Sequence, residues 1–197
     1  MVEYFYDEEK HGASAGRLTS IVKYTAPGSS GVLYEDSYFY DLLGRVTSLT
    51  RTIDGNTKTI MFLYDHLNRI TGEKYPTGEI VEYTYNPGGS LESVAGTVND
   101  NHVTNYVTNV DYTETGKMDV IEYGNNTFTD YTYESKTDRL SNIASFDSGG
   151  NSILDLSYSY DRVGNITYKS SPDYTEEYVY DELYRLEEAK SPDALYG

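Results

Sequence analysis

Aromatic and polar residues alternate along eight short stretches of the chain, and each stretch ends in a tyrosine. VEYFY at 2–6 is the first of these stretches and EEYVY at 176–180 is the last. Alternation with a period of two places every second side chain on the same face of a β-strand. Two residues before the final tyrosine, the position is aromatic in every stretch except the one that has Val110. The pattern therefore predicts strands that carry two rings on one face.

A turn sequence follows each of these final tyrosines, which we call anchor tyrosines. YDLLGRV at 40–46 shows the turn most fully. An Asp, two variable residues and a Gly favour a type I turn closed by a G1 bulge, because the Asp caps the turn amides and Gly adopts positive φ. Asn68 and Asp138 replace the Gly in two copies and tolerate that backbone region, whereas Tyr184 does not fit the pattern.

Such a turn predicts the register of a β-hairpin. Asp and Arg should face each other across the loop in the pairs Asp41–Arg45, Asp65–Arg69 and Asp181–Arg185. Each anchor tyrosine should face the apolar residue after the turn, which is Leu18, Val46, Ile70, Leu91, Met118, Leu140, Ile166 or Leu186. A further apolar residue three positions later would fall on the opposite face by strict alternation. Either a second bulge or a sheet buried on both faces would accommodate it.

The hairpin unit occurs eight times, with anchor tyrosines between 20 and 34 residues apart. Periods of this length are typical of solenoids, propellers and arrays. No segment has helical periodicity, so the predicted fold is all-β: tandem antiparallel β-hairpins in one long curved or coiled sheet, forming a single array over 1–197. The predicted structural repeat residues are Tyr6, Asp7, Gly16, Arg17, Tyr40, Asp41, Gly44, Arg45, Tyr64, Asp65, Asn68, Arg69, Tyr85, Gly89, Tyr112, Gly116, Lys117, Tyr133, Asp138, Arg139, Tyr160, Asp161, Gly164, Tyr180, Asp181 and Arg185.

The motif Y-D-x-x-G-R-aliphatic, preceded by alternating aromatics, resembles the YD-repeat family, also called Rhs repeats. The connections KYPTGEIVEYTYN at 74–86 and VIEYGNNTFTDYTY at 120–133 are similar to those of the family. The departures from the motif are Asn86, Thr113 and Glu134 in place of Asp, and Ser90 and Asn165 in place of Arg.

This resemblance implies a partial shell, because the family forms a coiled sheet that in toxin complexes and Rhs effectors wraps around a toxic polypeptide. Teneurins and wall-associated surface proteins carry similar repeats. The partners it implies are the remaining repeats of a longer parent chain, an enclosed toxin polypeptide, or a surface glycan or protein. The location it implies is secreted or at the cell surface.

Composition adds an acidic surface and an unusual apolar content. Leu, Ile, Val and Phe make up about a fifth of the residues and the net charge is -17, which is close to the composition of disordered chains. The 23 tyrosines supply apolar area worth about 4–6 kcal/mol gross for each buried ring. We therefore expect a core built of tyrosines. The charge argues against nucleic acid as a partner, and no apolar run is long enough to cross a membrane. Because the amino terminus lacks the pattern of a signal peptide, the protein is either cytoplasmic or, as we prefer, an internal piece of a longer chain.

Catalysis, cofactor binding and metal binding are not predicted. The recurrent aspartates occupy equivalent turns, whereas glycoside hydrolysis needs one carboxyl pair in two different environments. Asn99, Asp100 and Asn101 offer oxygen ligands for Ca²⁺, but they do not match a calcium-binding loop. The predicted function is a noncatalytic shell or scaffold segment, and the alternative is an adhesion module that binds carbohydrate or protein. Open sheet edges predict self-association.

Overall fold

A computed structural model describes residues 1–98 and 102–191, which form sixteen β-strands and one short 3-10 turn at Glu9–His11. The first eight strands are β1 Val2–Tyr6, β2 Leu18–Tyr24, β3 Val32–Tyr40, β4 Val46–Ile53, β5 Asn56–Tyr64, β6 Ile70–Lys74, β7 Ile80–Tyr85 and β8 Leu91–Val98. The others are β9 His102–Tyr112, β10 Met118–Tyr123, β11 Phe128–Tyr133, β12 Leu140–Phe146, β13 Ser152–Tyr160, β14 Ile166–Ser170, β15 Thr175–Tyr180 and β16 Leu186–Lys190.

The backbone contacts divide the chain into two compact units, Met1–Thr104 and Asn105–Gly197. Within each unit the strands follow one another in sequence order, and each pairs antiparallel with its neighbours along the chain. This arrangement confirms the all-β prediction of tandem antiparallel hairpins. No helix in the described ranges has the length and hydropathy needed to cross a membrane.

Each hairpin has one extra residue on its second strand, next to the turn. This register shift explains how apolar residues three positions apart can lie on the same face of the sheet. Tyr40 lies opposite Val46 as predicted, but the preceding Phe39 lies opposite Ser48, so Thr47 is an extra residue. This bulge returns Leu49 to the face of Tyr38, which it opposes. The predicted pairing of anchor tyrosine and apolar residue is present in all eight hairpins, and of the two alternatives the second bulge is confirmed.

Few side chains are fully buried, and the core expected from the tyrosine content is not found in the described residues. The buried apolar side chains are Val22, Val81 and Val110, while Tyr4 and Tyr6 on β1 are more than half exposed. The expectation was wrong because each strand packs on its neighbours in the sheet, and no second layer of strands or helices covers the rings in the described part of either unit. The anchor tyrosines from Tyr40 onward lie half-buried on the sheet surface.

Candidate functional site

The repeated turn is the first element of the candidate site, and the Asp side chain organises it. Asp65 Oδ1 accepts hydrogen bonds from the amides of Leu67 at 2.8 Å and Arg69 at 3.0 Å, while Oδ2 accepts one from Arg69 Nε at 2.7 Å. Asp41 and Asp181 make the same three contacts with their own turns. The three predicted Asp–Arg pairs are therefore present, each with 2.7 Å between the nitrogen and the carboxylate oxygen.

These contacts keep the turn carboxylates ionised. Hydrogen bonding from the Arg45 amide, together with the Arg45 guanidinium, lowers the pKa of Asp41 below its ordinary value, although partial desolvation acts in the opposite direction. The pKa of Asp181 is lowered in the same way by Arg185. A general acid in glycoside hydrolysis needs a raised carboxyl pKa, so the environment of these aspartates is unsuited to that role.

Turns that depart from the motif keep equivalent hydrogen bonds through other side chains. Asn165 replaces Arg and donates from Nδ2 to Asp161 Oδ2 at 2.8 Å. Asn86 replaces Asp and accepts from the Ser90 amide at 3.0 Å. In the first hairpin, where the turn is extended by an insertion, Asp7 has a φ of 60° and accepts a hydrogen bond from the Gly16 amide.

The hydroxyl of the anchor tyrosine joins one hairpin to the preceding hairpin. Five contacts within the two units show it donating to the backbone carbonyl of the apolar residue that faces the preceding anchor. The pairs are Tyr40 to Leu18 at 2.5 Å, Tyr64 to Val46 at 2.7 Å, Tyr85 to Ile70 at 2.6 Å, Tyr133 to Met118 at 2.8 Å and Tyr160 to Leu140 at 2.7 Å. Burial raises the pKa of Tyr64 and Tyr160, so these hydroxyls remain protonated donors at neutral pH.

The basic residues of five turns also contact the following hairpin. Their charged groups lie over the ring of the next anchor tyrosine, at 5.8 Å for Arg17 and Tyr40, 4.7 Å for Arg45 and Tyr64, 4.2 Å for Arg69 and Tyr85, 4.9 Å for Lys117 and Tyr133, and 5.6 Å for Arg139 and Tyr160. Cation–π contacts of this kind contribute about 0.5–1 kcal/mol at exposed sites. Arg139 also donates to the carbonyl of Asp161 in the next turn at 2.8 Å. The sequence pattern predicts the Asp partner within the hairpin but does not indicate this contact with the next hairpin.

The same contact determines which residue can occupy the left-handed position of the next turn. A β-carbon at Gly44 would lie 1.9 Å from Arg17 Nη2, so a side chain there would displace the guanidinium. Asn68 avoids this conflict because its Oδ1 accepts a hydrogen bond from Arg45 at 3.1 Å. Asp138 likewise lies 2.6 Å from Lys117 Nζ.

Tyr184 is explained by the residue one hairpin earlier. It has a φ of 60°, and the preceding hairpin carries the short Asn165, which is bound to its own Asp161, in place of a long basic side chain. The absence of a long basic side chain in the preceding hairpin is consistent with the bulky Tyr184 at this position.

Comparison with known proteins agrees with this repeated geometry. No protein-family model matches the chain. A toxin subunit of Yersinia entomophaga, YenC1, is 31% identical over 128 residues, which cover 55% of this chain and 13% of the relative. This chain is a relative of the YD-repeat proteins. Among solved structures, TcdB2-TccC3 has a TM-score of 0.67 at 18% identity, covering 94% of this chain and 12% of that one. The Tc holotoxin pore of Photorhabdus luminescens has a TM-score of 0.69 at 18% identity, covering 95% and 12%.

Two polar clusters of this chain have no counterpart in the sequence motif. On β3 and β4, the buried Asp36 binds Arg51 through two hydrogen bonds of 2.7 and 2.8 Å and also accepts one from Tyr34. These bonds, chiefly those from Arg51, lower the pKa of Asp36. Asp36 and Arg51 lie fifteen residues apart with no distinctive spacing, so no signal in the sequence could have identified the pair.

The second cluster joins side chains of the inserted segment in the first turn to the neighbouring strands. His11 is 2% exposed, and its Nδ1 lies 2.8 Å from the Tyr38 carbonyl oxygen, while Nε2 lies 3.4 Å from Glu8 Oε2. Glu8 also accepts hydrogen bonds from Thr19 at 2.8 Å and Ser20 at 3.1 Å. The cluster fastens the insertion to β2 and β3. Within residues 1–98 and 102–191, no group of three His, Cys, Asp or Glu side chains has the arrangement of a metal site.

Two further hairpins also contain predicted residues. Tyr112 and Gly116 lie in the hairpin of β9 and β10, and Tyr180, Asp181 and Arg185 lie in the hairpin of β15 and β16. The possible calcium ligands Asn99, Asp100 and Asn101 lie outside the described residues.

Proposed function

We propose that this chain is a noncatalytic wall segment of a YD-repeat shell that encloses a polypeptide toxin cargo. In this proposal residues 1–197 form one array of eight hairpins, and the array is part of a longer, secreted or surface-exposed shell. Two findings support it: the similarity to a toxin subunit, and a fold likeness over 94–95% of the chain to toxin-complex structures. Because the chain spans only 12–13% of the length of those proteins, their activity and partners are proposed here for a larger assembly.

The observation that carries the proposal is the contact set that recurs from hairpin to hairpin. Each anchor tyrosine of the set gives its hydroxyl to a backbone carbonyl and one ring face to a cation of the preceding hairpin. Repeat proteins accumulate stability through such nearest-neighbour interfaces. The wall of a shell needs the same stabilising contact between neighbouring hairpins, whereas a catalytic site needs one set of residues that differs from the equivalent residues of the other repeats.

The engaged state of the repeat residues also argues against an enzyme. The aspartates cap their own turns, and Arg45 divides its donors between Asp41 of its own hairpin and the Asp65 carbonyl of the next. A screen of glycosidase and peptidase substrates should therefore give no turnover, and turnover lost on Asp65→Asn would contradict the proposal.

The adhesion alternative requires tyrosine faces that are free to stack on sugar rings. Five anchor rings are instead covered on one side by Arg or Lys. A glycan array with the whole chain distinguishes the two functions: the shell proposal expects no saturable binding, and carbohydrate binding abolished by Tyr168→Ala or Tyr106→Ala would favour adhesion. Both tyrosines are more than two-fifths exposed.

The direct test is a chimera in which the matched stretch of toxin subunit YenC1 is replaced by the corresponding stretch of this chain. If the segment is a wall, the chimera should assemble and its interior polypeptide should remain protected from added protease. A second chimera with Tyr64→Ala and Tyr85→Ala controls for the wall contacts and should lose protection. An assembled chimera whose interior is digested as fast as that of this control would overturn the proposal.

A further inference from the structure

Neighbouring strands of the first unit differ in length, and this difference leaves an open strand edge inside the sheet. β5 runs over Asn56–Tyr64, but its pairing with β6 ends at Met61, which lies opposite Lys74. Among the described residues, 56–60 therefore pair with β4 on one side only. We call the space on their other side the β5 notch. Because β5 and β6 are consecutive strands, the notch results from their unequal lengths and lies away from both ends of the chain.

Two residues of β5 direct their backbone polar groups into the notch. A two-residue turn with positive φ at Asp54 and Gly55 joins β4 to β5, and the residues that flank such a turn form a hydrogen-bonded pair. Hydrogen-bonded and non-hydrogen-bonded pairs alternate along the ladder, so the amides and carbonyls of Thr57 and Thr59 point away from β4. In the part of the chain that the structure describes, no backbone hydrogen bond joins them to the β6–β7 turn. Such an edge is a template for an added strand.

Two exposed lysines line the groove at the notch, one on each face of the sheet. Lys58 is six positions before Tyr64 and shares its face, whereas Lys74 lies opposite the residue three positions before that anchor and is on the other face. Neither lysine has an ion pair or a hydrogen bond within residues 1–98 and 102–191. The carboxylate of Glu73 is bound by the Tyr75 hydroxyl at 2.6 Å. In a chain with a net charge of -17, two cations without partners favour an acidic ligand.

We propose that the β5 notch binds an extended, acidic segment of a separate polypeptide by β-strand addition. The main chain of the segment exchanges hydrogen bonds with Thr57 and Thr59, which gives affinity that does not depend on sequence. Two adjacent acidic residues of the segment reach Lys58 and Lys74, because neighbouring side chains of a strand point to opposite faces. The lysines thus select the acidic chemistry. This binding does not depend on an enclosed cargo.

An equivalent notch beside β13 in the second unit provides an internal comparison. The pairing of β13 with β14 ends at Ser157, which lies opposite Ser170, and residues 152–156 of β13 extend beyond it. The positions of the two lysines are occupied there by Leu154 and Ser170, and Asp155 lines the groove. An acidic segment should therefore bind beside β5 and should not bind beside β13.

Amide hydrogen exchange of the whole chain, followed by NMR with and without a synthetic peptide, tests the proposal. In the peptide, pairs of acidic residues alternate with pairs of valine and threonine, which favour an extended strand. At saturation the amides of Thr57 and Thr59 should exchange on the order of tenfold more slowly, while those of residues 152–156 remain unchanged. A peptide with basic residues in place of the acidic ones should not bind. The acidic peptide methylated on every amide nitrogen should not bind either, because it keeps its charges and loses its donors.

A matched pair of charge variants shows whether the lysines select the ligand. Lys58→Glu should weaken binding of the acidic peptide by about fivefold or more, because it replaces an attraction by a repulsion. Lys136→Glu makes the same change of charge at an exposed lysine of the second unit and should leave binding unchanged. The proposal is overturned if the acidic peptide does not bind, if the methylated peptide binds as tightly, if protection appears beside β13 and not beside β5, or if Lys136→Glu weakens binding as much as Lys58→Glu.

Discussion

Replacing Tyr64 by Phe isolates the hydrogen bond that joins neighbouring hairpins. The hydroxyl donates to the Val46 carbonyl at 2.7 Å, and the ring lies 4.7 Å below the Arg45 guanidinium. Phe retains the ring and the cation contact, so only the hydrogen bond is lost. A typical intramolecular hydrogen bond contributes about 0.5–1.5 kcal/mol net, and the half-buried carbonyl regains water only in part. We therefore expect Tyr64→Phe to lower the free energy of unfolding by about 1 kcal/mol.

Urea unfolding followed by circular dichroism measures this change, since the chain has no Trp for fluorescence. Tyr6→Phe is the matched control, because that tyrosine is 57% exposed. The control should stay within about 0.5 kcal/mol of the native chain. Hydrogen exchange adds a local reading: the amides of β4 and β5 should exchange faster in Tyr64→Phe, while β14 and β15 remain unchanged. Equal effects of the two substitutions would refute the reasoning.

Three further predictions concern the turns. In urea unfolding, Gly12→Ala should destabilise the protein by several kcal/mol more than Gly16→Ala. Both glycines have positive φ, but of the two only Gly12 would place a β-carbon against a backbone atom, 2.2 Å from the Tyr40 carbonyl oxygen. Tyr184→Gly should stabilise by about 1 kcal/mol by relieving a left-handed non-glycine residue, and a lower urea midpoint would contradict this. Acid should destabilise the fold, because the pKa values of the turn aspartates Asp41 and Asp65 are lower in the folded than in the unfolded state. Their contribution to the free energy of unfolding is fully present above the unfolded pKa of about 3.9 and is lost as the pH falls through the folded values. Asp65→Asn should flatten this dependence in pH-resolved melting, and an unchanged profile would contradict the assignment.

The hairpins were predictable because local chemistry determines them. The Asp cap, the left-handed glycine and the alternating aromatics act within about ten residues, and the structure shows Tyr40 opposite Val46 as that chemistry requires. The bulge at Thr47 was one of two alternatives, because alternation alone does not distinguish an extra residue from a sheet buried on both faces.

The contacts between hairpins were less accessible to sequence reasoning. Arg45 has a partner four residues away, Asp41, which accounts for its charge and conceals its second role over Tyr64. A signal was nevertheless present: the short Asn165 occurs one hairpin before the bulky Tyr184. The half-buried state of the rings was missed because composition reports how much apolar area a chain has and says nothing about how many layers cover it.

The central claim is that consecutive hairpins hold one another through the basic residue of one and the anchor tyrosine of the next. A double-mutant cycle between Arg45→Met and Tyr64→Leu measures this coupling directly. The account predicts a coupling free energy of about 0.5–1 kcal/mol. The same cycle between Arg185→Met and Tyr64→Leu, whose side chains lie in different units, should give a value near zero. A coupling between Arg45 and Tyr64 that is no larger than this control would contradict the account.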